Sequence, residues 1–158
     1  MISVLRQRNF GLLWLGGLLS LIGDWAFYSL TPVFVLDRTD SVFLSGLVWT
    51  LSALPMVLVG PFVGVYVDRH SRQRIMVWTA IAQSMAMAAL LIVGGGIGIW
   101  FAMGIILIEA ILATIYFPAE NALLPMLVPE QDRPTANALN ALNDNIARIV
   151  GPFLGVAL

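Results

Sequence analysis

Gly64-Val65-Tyr66-Val67-Asp68-Arg69-His70-Ser71-Arg72-Gln73-Arg74 is the place where a long apolar run ends and a dense charge cluster begins. Upstream, from about Val42 to Val67, no side chain carries a formal charge. As a helix rising about 1.5 Å per residue, such a run crosses roughly 30 Å of hydrocarbon. Downstream, Arg69, Arg72 and Arg74 crowd into a short polar loop. Arginine collects on the cytoplasmic side of a membrane, so the stretch reads as a transmembrane helix emerging into cytoplasm.

Composition extends that reading to the whole chain. Its 158 residues are 59% hydrophobic and only 11% charged, where a soluble domain averages about 25% charged. Such a sequence cannot build a water-facing surface. Net charge is −1, and every basic residue is arginine, which excludes a nucleic-acid-binding surface and a polybasic anchor. The absence of cysteine excludes disulfides, thiolate metal sites and cysteine nucleophiles. No phosphate-binding loop, catalytic triad or metal-ligand cluster is present, so the sequence points to neither an enzyme nor a cofactor. Arg6 and Arg8 precede an apolar run too long for a signal peptide, which makes that run a retained first span.

The expected fold is an all-α membrane protein with about five spans: residues 9–36, 42–67, 75–93, 97–117 and 135–158. Asp37-Arg38-Thr39-Asp40-Ser41 returns the chain after the first, and Gly94-Gly95-Gly96 makes an uncharged turn after the third. Pro118, Pro125, Pro129 and Pro134, set among Glu120, Glu130, Asp132 and Arg133, predict a loop after the fourth. In this topology Arg6, Arg8, Arg69, Arg72, Arg74 and Arg133 share one side, and Arg38 lies on the other. The N-terminus is therefore expected in the cytoplasm. Trp78, Trp100 and Phe101 fall at span ends, as interfacial anchors do.

At the charged loop, Gly64 leaves room for another helix to approach closely. Asp68 sits at a helix C-terminus, where the macrodipole is already negative. It needs Arg69, Arg72 or the N-terminus of a neighbouring helix to hold it, and a charged latch of this kind suits a gate. Gly60-Pro61-Phe62-Val63-Gly64-Val65 is echoed by Gly151-Pro152-Phe153-Leu154-Gly155-Val156, a hint that the second and fifth helices are related by an inverted repeat.

Gly64, Asp68, Arg69, Arg72 and Arg74 resemble the loop motif after the second helix of major facilitator superfamily transporters, G-x-x-x-D-R-x-G-R-R/K. Ser71 stands where the family prefers Gly, and Gln73 precedes Arg74. Gly151-Pro152-x-x-Gly155 is similar to the family's antiporter signature, with Val156 in place of the last Gly. Gly23 through Pro32 resembles the exporters' first-helix pattern. Arg8-Asn9-Phe10-x-x-Leu13-Trp14 and Ala136-Asn137-Ala138-Leu139-Asn140 look like the drug, siderophore and macrolide efflux branch. The resemblance implies the N-terminal part of a fold whose two six-helix halves rock around a central cavity, with the C-terminal half absent here and required for transport. It also implies a bacterial inner membrane, a small-molecule substrate, and protons as the coupling ion. The fourth-helix arginine of many drug–proton antiporters is missing.

Ionisable groups inside a membrane are expensive and usually functional. Asp24, near the middle of the first span, is the candidate for proton coupling or for binding a cationic substrate group. Glu109 is central in the fourth span. Asp144 and Arg148 are four residues apart in the fifth, and Arg148 is expected to face the cavity and pair with Glu109 or Asp144. Asn137, Asn140, Asp144, Arg148, Gly151 and Gly155 form a polar stripe at helical spacing, which must face protein or water. A static salt bridge explains the same charges. Three functions are compatible with these residues: a proton-coupled exporter of amphipathic molecules, an uptake permease of the same fold, or a non-transporting membrane protein that associates through exposed Gly151 and Gly155.

Overall fold

The structure is a computed structural model that describes residues 2–93 and 98–157. Among the described residues there are helices and no strand: α1 (Ile2–Leu5), α2 (Arg8–Thr39), α3 (Val42–Leu58), α4 (Gly60–Arg69), α5 (Arg72–Val93), α6 (Ile99–Leu127) and α7 (Arg133–Ala157), with a 3-10 turn at Glu130–Asp132. By length and composition α2 and α6 can each cross a membrane, and α3 with α4 makes a third span if the bent pair is taken as one. Large apolar side chains stand outward, among them Val42, Phe43, Met56, Phe62, Trp78 and Trp100. That is the surface a lipid-embedded chain presents. The Gly94-Gly95-Gly96 turn lies outside the described residues.

The chain divides into two units, Met1–Val33 with Leu123–Leu158, and Phe34–Ala122. In the first, α2 and α7 run together. Val4, Phe10, Leu124, Val128, Ala136 and Leu139 form a core at one end, with Leu5 and Trp14 packed on it. Gln7 Nε2 donates to Asp132 Oδ2 at 3.2 Å, tying the N-terminal turn to the 3-10 turn. Gly11 is required where the chain enters α2, because a Cβ there would lie 2.6 Å from the carbonyl oxygen of Leu5.

In the second unit, the expected continuous span over 42–67 is broken. α3 and α4 meet at Val59 with a bend of 53°. Pro61 lacks an N–H and its ring collides with the carbonyl four residues back, so the helix cannot continue straight through Val57. The echoed Gly151-Pro152 sits inside an unbroken α7, so the two hexapeptides play different local roles. α2 ends as Asp40 adopts a left-handed φ of 49° and its N–H donates to Leu36 O at 2.8 Å. Ser41 then caps α3 by accepting from Leu44 N at 3.3 Å. Aspartate tolerates this backbone and a β-branched residue does not. Asp40→Val is expected to lower stability by about 1–2 kcal/mol, with Asp40→Gly at or above the unmodified protein, read from unfolding midpoints in mild detergent.

The loop expected from Pro118 is instead helix. α6 continues through Pro118 and Pro125 to Leu127. Each proline costs a backbone hydrogen bond, but packed neighbours and local adjustment compensate for this inside membrane proteins.

Candidate functional site

Six residues of α7 form its buried face: Ala136, Leu139, Asn143, Ala147, Gly151 and Gly155. Their spacing of three or four draws one line along the helix. This corrects the predicted stripe. Gly151 and Gly155 belong to it, but Asn137 and Arg148 are exposed, and Asn140 and Asp144 lie half-buried beside it. The helix is turned so that its smallest residues meet α2, because only they allow the backbones to come close. A Cβ on Gly151 would lie 2.6 Å from Trp25 Cβ, 2.9 Å from Ala26 N and 2.9 Å from Ile22 O. On Gly155 it would lie 2.9 Å from Leu30 Cδ1. These glycines are therefore not the exposed association surface that the third reading needed.

Asn143, which the sequence reading passed over, is fully buried. Its Nδ2 donates to the Trp14 carbonyl at 2.8 Å, and the Trp14 indole donates back to the Leu139 carbonyl at 2.9 Å. The result is a two-way clamp between α2 and α7. The available signal was its register: Asn143 is four residues after Leu139 and eight before Gly151.

Further along the same pair lies a charged cluster. Arg148 Nε is 3.0 Å from Asp144 Oδ2, and its guanidinium carbon stands 4.9 Å from the centroid of the Trp25 ring. Trp25 Nε1 donates to Asp144 Oδ1 across a long 3.4 Å. Side-chain exposure is 57% for Arg148 and 40% for Asp144, so the cluster is reachable from outside. At such exposure, the ion pair and the cation–π contact are each worth about 0.3–1 kcal/mol in water. Of the two expected partners, Asp144 holds Arg148. Asp24 is half-buried on α2.

Glu109 belongs to the second unit and is 4% exposed. Glu120, expected among loop charges, is helical and 3% exposed. It follows Glu109 by eleven residues, three turns of helix, and so shares its face. Continuing the helix through Pro118 would have revealed this. Among the described residues no group of His, Cys, Asp or Glu could hold a metal ion.

Where α4 passes into α5, Arg72 Nη2 is 3.4 Å from Asp68 Oδ1, and the His70 ring stacks on Tyr66 with centroids 4.3 Å apart. Arg69 and Arg74 are exposed. The approach expected at Gly64 is not seen: a Cβ there meets nothing within 4 Å among the described residues.

Apolar helices long enough to cross a membrane, large apolar side chains turned outward and a glycine-sealed helix pair are the features of an integral membrane protein. The sequence profile of the family described as transmembrane secretion effector matches residues 1–158, and the chain belongs to that family. It is 29% identical over 154 residues to macrolide efflux protein A of Streptococcus pyogenes, covering 96% of this chain and 38% of that protein. Against macrolide efflux protein A of Enterococcus faecalis it is 33% identical over 110 residues, covering 68% of this chain and 34% of the relative. A multi-drug resistance efflux pump of Streptococcus pneumoniae is 24% identical over 155 residues, with 94% and 37% covered. The chain thus spans little more than a third of the length of these relatives and corresponds to their N-terminal part. No solved structure matches it significantly.

Proposed function

We propose that these residues are the N-terminal portion of a secondary active exporter. It moves amphipathic small molecules such as drugs or siderophores outward in exchange for protons, by alternating access. The observation that carries this is the half-exposed Trp25–Asp144–Arg148 cluster at mid-helix on α2 and α7. A membrane helix does not keep charges there without a use or a partner. The names of three relatives, two macrolide efflux proteins and a multi-drug resistance efflux pump, support export over uptake. The remaining chain of the transporter would supply the second wall of the cavity.

Asp24 is the proposed proton carrier, with Glu109 the second candidate. Asp68 and the Arg69–Arg74 loop act as a cytoplasmic latch, weak enough at 3.4 Å with an exposed Asp68 carboxylate to open and close. Across the five proposed spans the arginine distribution supports an N-terminus in the cytoplasm, and the bacterial relatives support a bacterial cytoplasmic (inner) membrane. Asp24→Asn in the native gene product is expected to reduce proton-driven export at least tenfold, the scale at which a required proton-transfer group acts. Membrane levels should stay normal. Everted vesicles loaded by a proton gradient give the readout, and unchanged export sinks the coupling role.

A further inference from the structure

The geometry points to a cation site built from the Trp25 ring and the Asp144 carboxylate, filled at rest by Arg148, which an amphipathic organic monocation such as a tertiary or quaternary amine takes over. Its purpose rests on the exporter reading; its chemistry does not. Arg148 receives here what such a ligand needs, a carboxylate oxygen at 3.0 Å and an aromatic face at 4.9 Å. Aromatic faces recognise alkylammonium groups by the same attraction to the ring quadrupole.

The three members are not equally fixed. Trp25 is anchored at its Cβ, where Gly151 lets α7 press against it, and the Trp14–Asn143 clamp holds the two helices together. Asp144 follows Asn143 directly and accepts from the Trp25 indole. Arg148 is the most exposed member, at 57%, and hangs on a flexible stem. It can swing away while ring and carboxylate stay in place, so the site is preorganised for an incoming cation. Arg148 and the ligand compete for the same carboxylate and ring, so displacement of Arg148 and arrival of the ligand are coupled.

An internal plug lowers apparent affinity by the fraction of time the site is filled. Binding is measured on the protein in lipid nanodiscs with radiolabelled tetraphenylphosphonium, against neutral triphenylphosphine oxide of similar shape. The unmodified protein should prefer the cation about tenfold. Arg148→Gln should tighten the cation by a further factor of about ten and leave the neutral compound unchanged. Asp144→Asn should remove the preference. Equal affinity for the two compounds in the unmodified protein overturns the proposal without any variant, and so does weaker or unchanged cation binding by Arg148→Gln. No gradient enters this assay. Charge-blind binding in a protein that still exports a neutral substrate counts against the site alone. Cation binding without export counts against the exporter reading.

Discussion

Gly151→Leu is expected to disrupt the α2–α7 pair, and Gly151→Ala to cost about 2–4 kcal/mol of stability. Two of the three atoms that an added Cβ would meet, Ala26 N and Ile22 O, both at 2.9 Å, belong to the α2 backbone. They cannot rotate aside, so the helices must separate, and the contacts that hold Asp144 against Trp25 go with them. Two further glycines calibrate the result. At position 155 the nearest atoms are Leu30 Cδ1 at 2.9 Å and Cγ at 3.0 Å, which a side chain can move, and the backbone Ala26 O lies farther off at 3.2 Å, so Gly155→Ala should cost about 1–2 kcal/mol. At position 64 nothing lies within 4 Å, and Gly64→Ala should be neutral or gain up to about 1 kcal/mol from helix propensity. Detergent unfolding followed by circular dichroism gives the order 151, then 155, then 64. A Gly151→Ala protein as stable as Gly64→Ala would mean that the two helices do not meet as described.

The second large effect is expected at the clamp. Asn143→Ala should lower stability by about 2–3 kcal/mol. The loss combines one hydrogen bond of about 1 kcal/mol with a cavity at a site that is fully buried. Asn143→Leu should cost less, because it fills the space and also removes Oδ1, a buried acceptor without a hydrogen-bond partner among the described residues. Trp14→Phe keeps an aromatic ring but loses the 2.9 Å indole bond to Leu139 O and part of the indole's packing volume, at about 1–3 kcal/mol. Both bonds hold the same two helices, so the double variant should fall short of the sum, with a coupling of about 0.5–1.5 kcal/mol. Strict additivity in the same unfolding assay would show that the two bonds act independently.

These two positions differ in how readable they were. Gly151 stood out in the sequence as part of a Gly-Pro-x-x-Gly motif, and small residues at turn spacing are a packing signal by themselves. Asn143 did not, because a single asparagine between Leu142 and Asp144 carries no period of its own. Its role depends on which way α7 is rotated, and a shift of one residue turns a helix by about 100°. The predicted stripe through Asp144 and Arg148 was a neighbour of the true one for this reason. Glu120 was misplaced by a different rule. Proline ends helices in water, and the expectation of a loop after Phe117 followed that habit, whereas α6 carries its prolines on to Leu127.

From the sequence alone came the membrane as solvent, the all-helical class, the charged loop at Asp68–Arg74, the family resemblance and the mid-span residues Asp24, Glu109, Asp144 and Arg148. Each of these is a matter of composition or short-range spacing, which the chain states directly. The tertiary structure decided what faces what. It bent the second span at Val59, sealed α7 to α2 through Gly151 and Gly155, buried Asn143 and Glu120, and set Arg148 between Asp144 and the Trp25 ring. Those outcomes depend on helix rotation and backbone approach, and in a membrane the chain settles them by which faces are small enough to meet and which polar groups can find a partner.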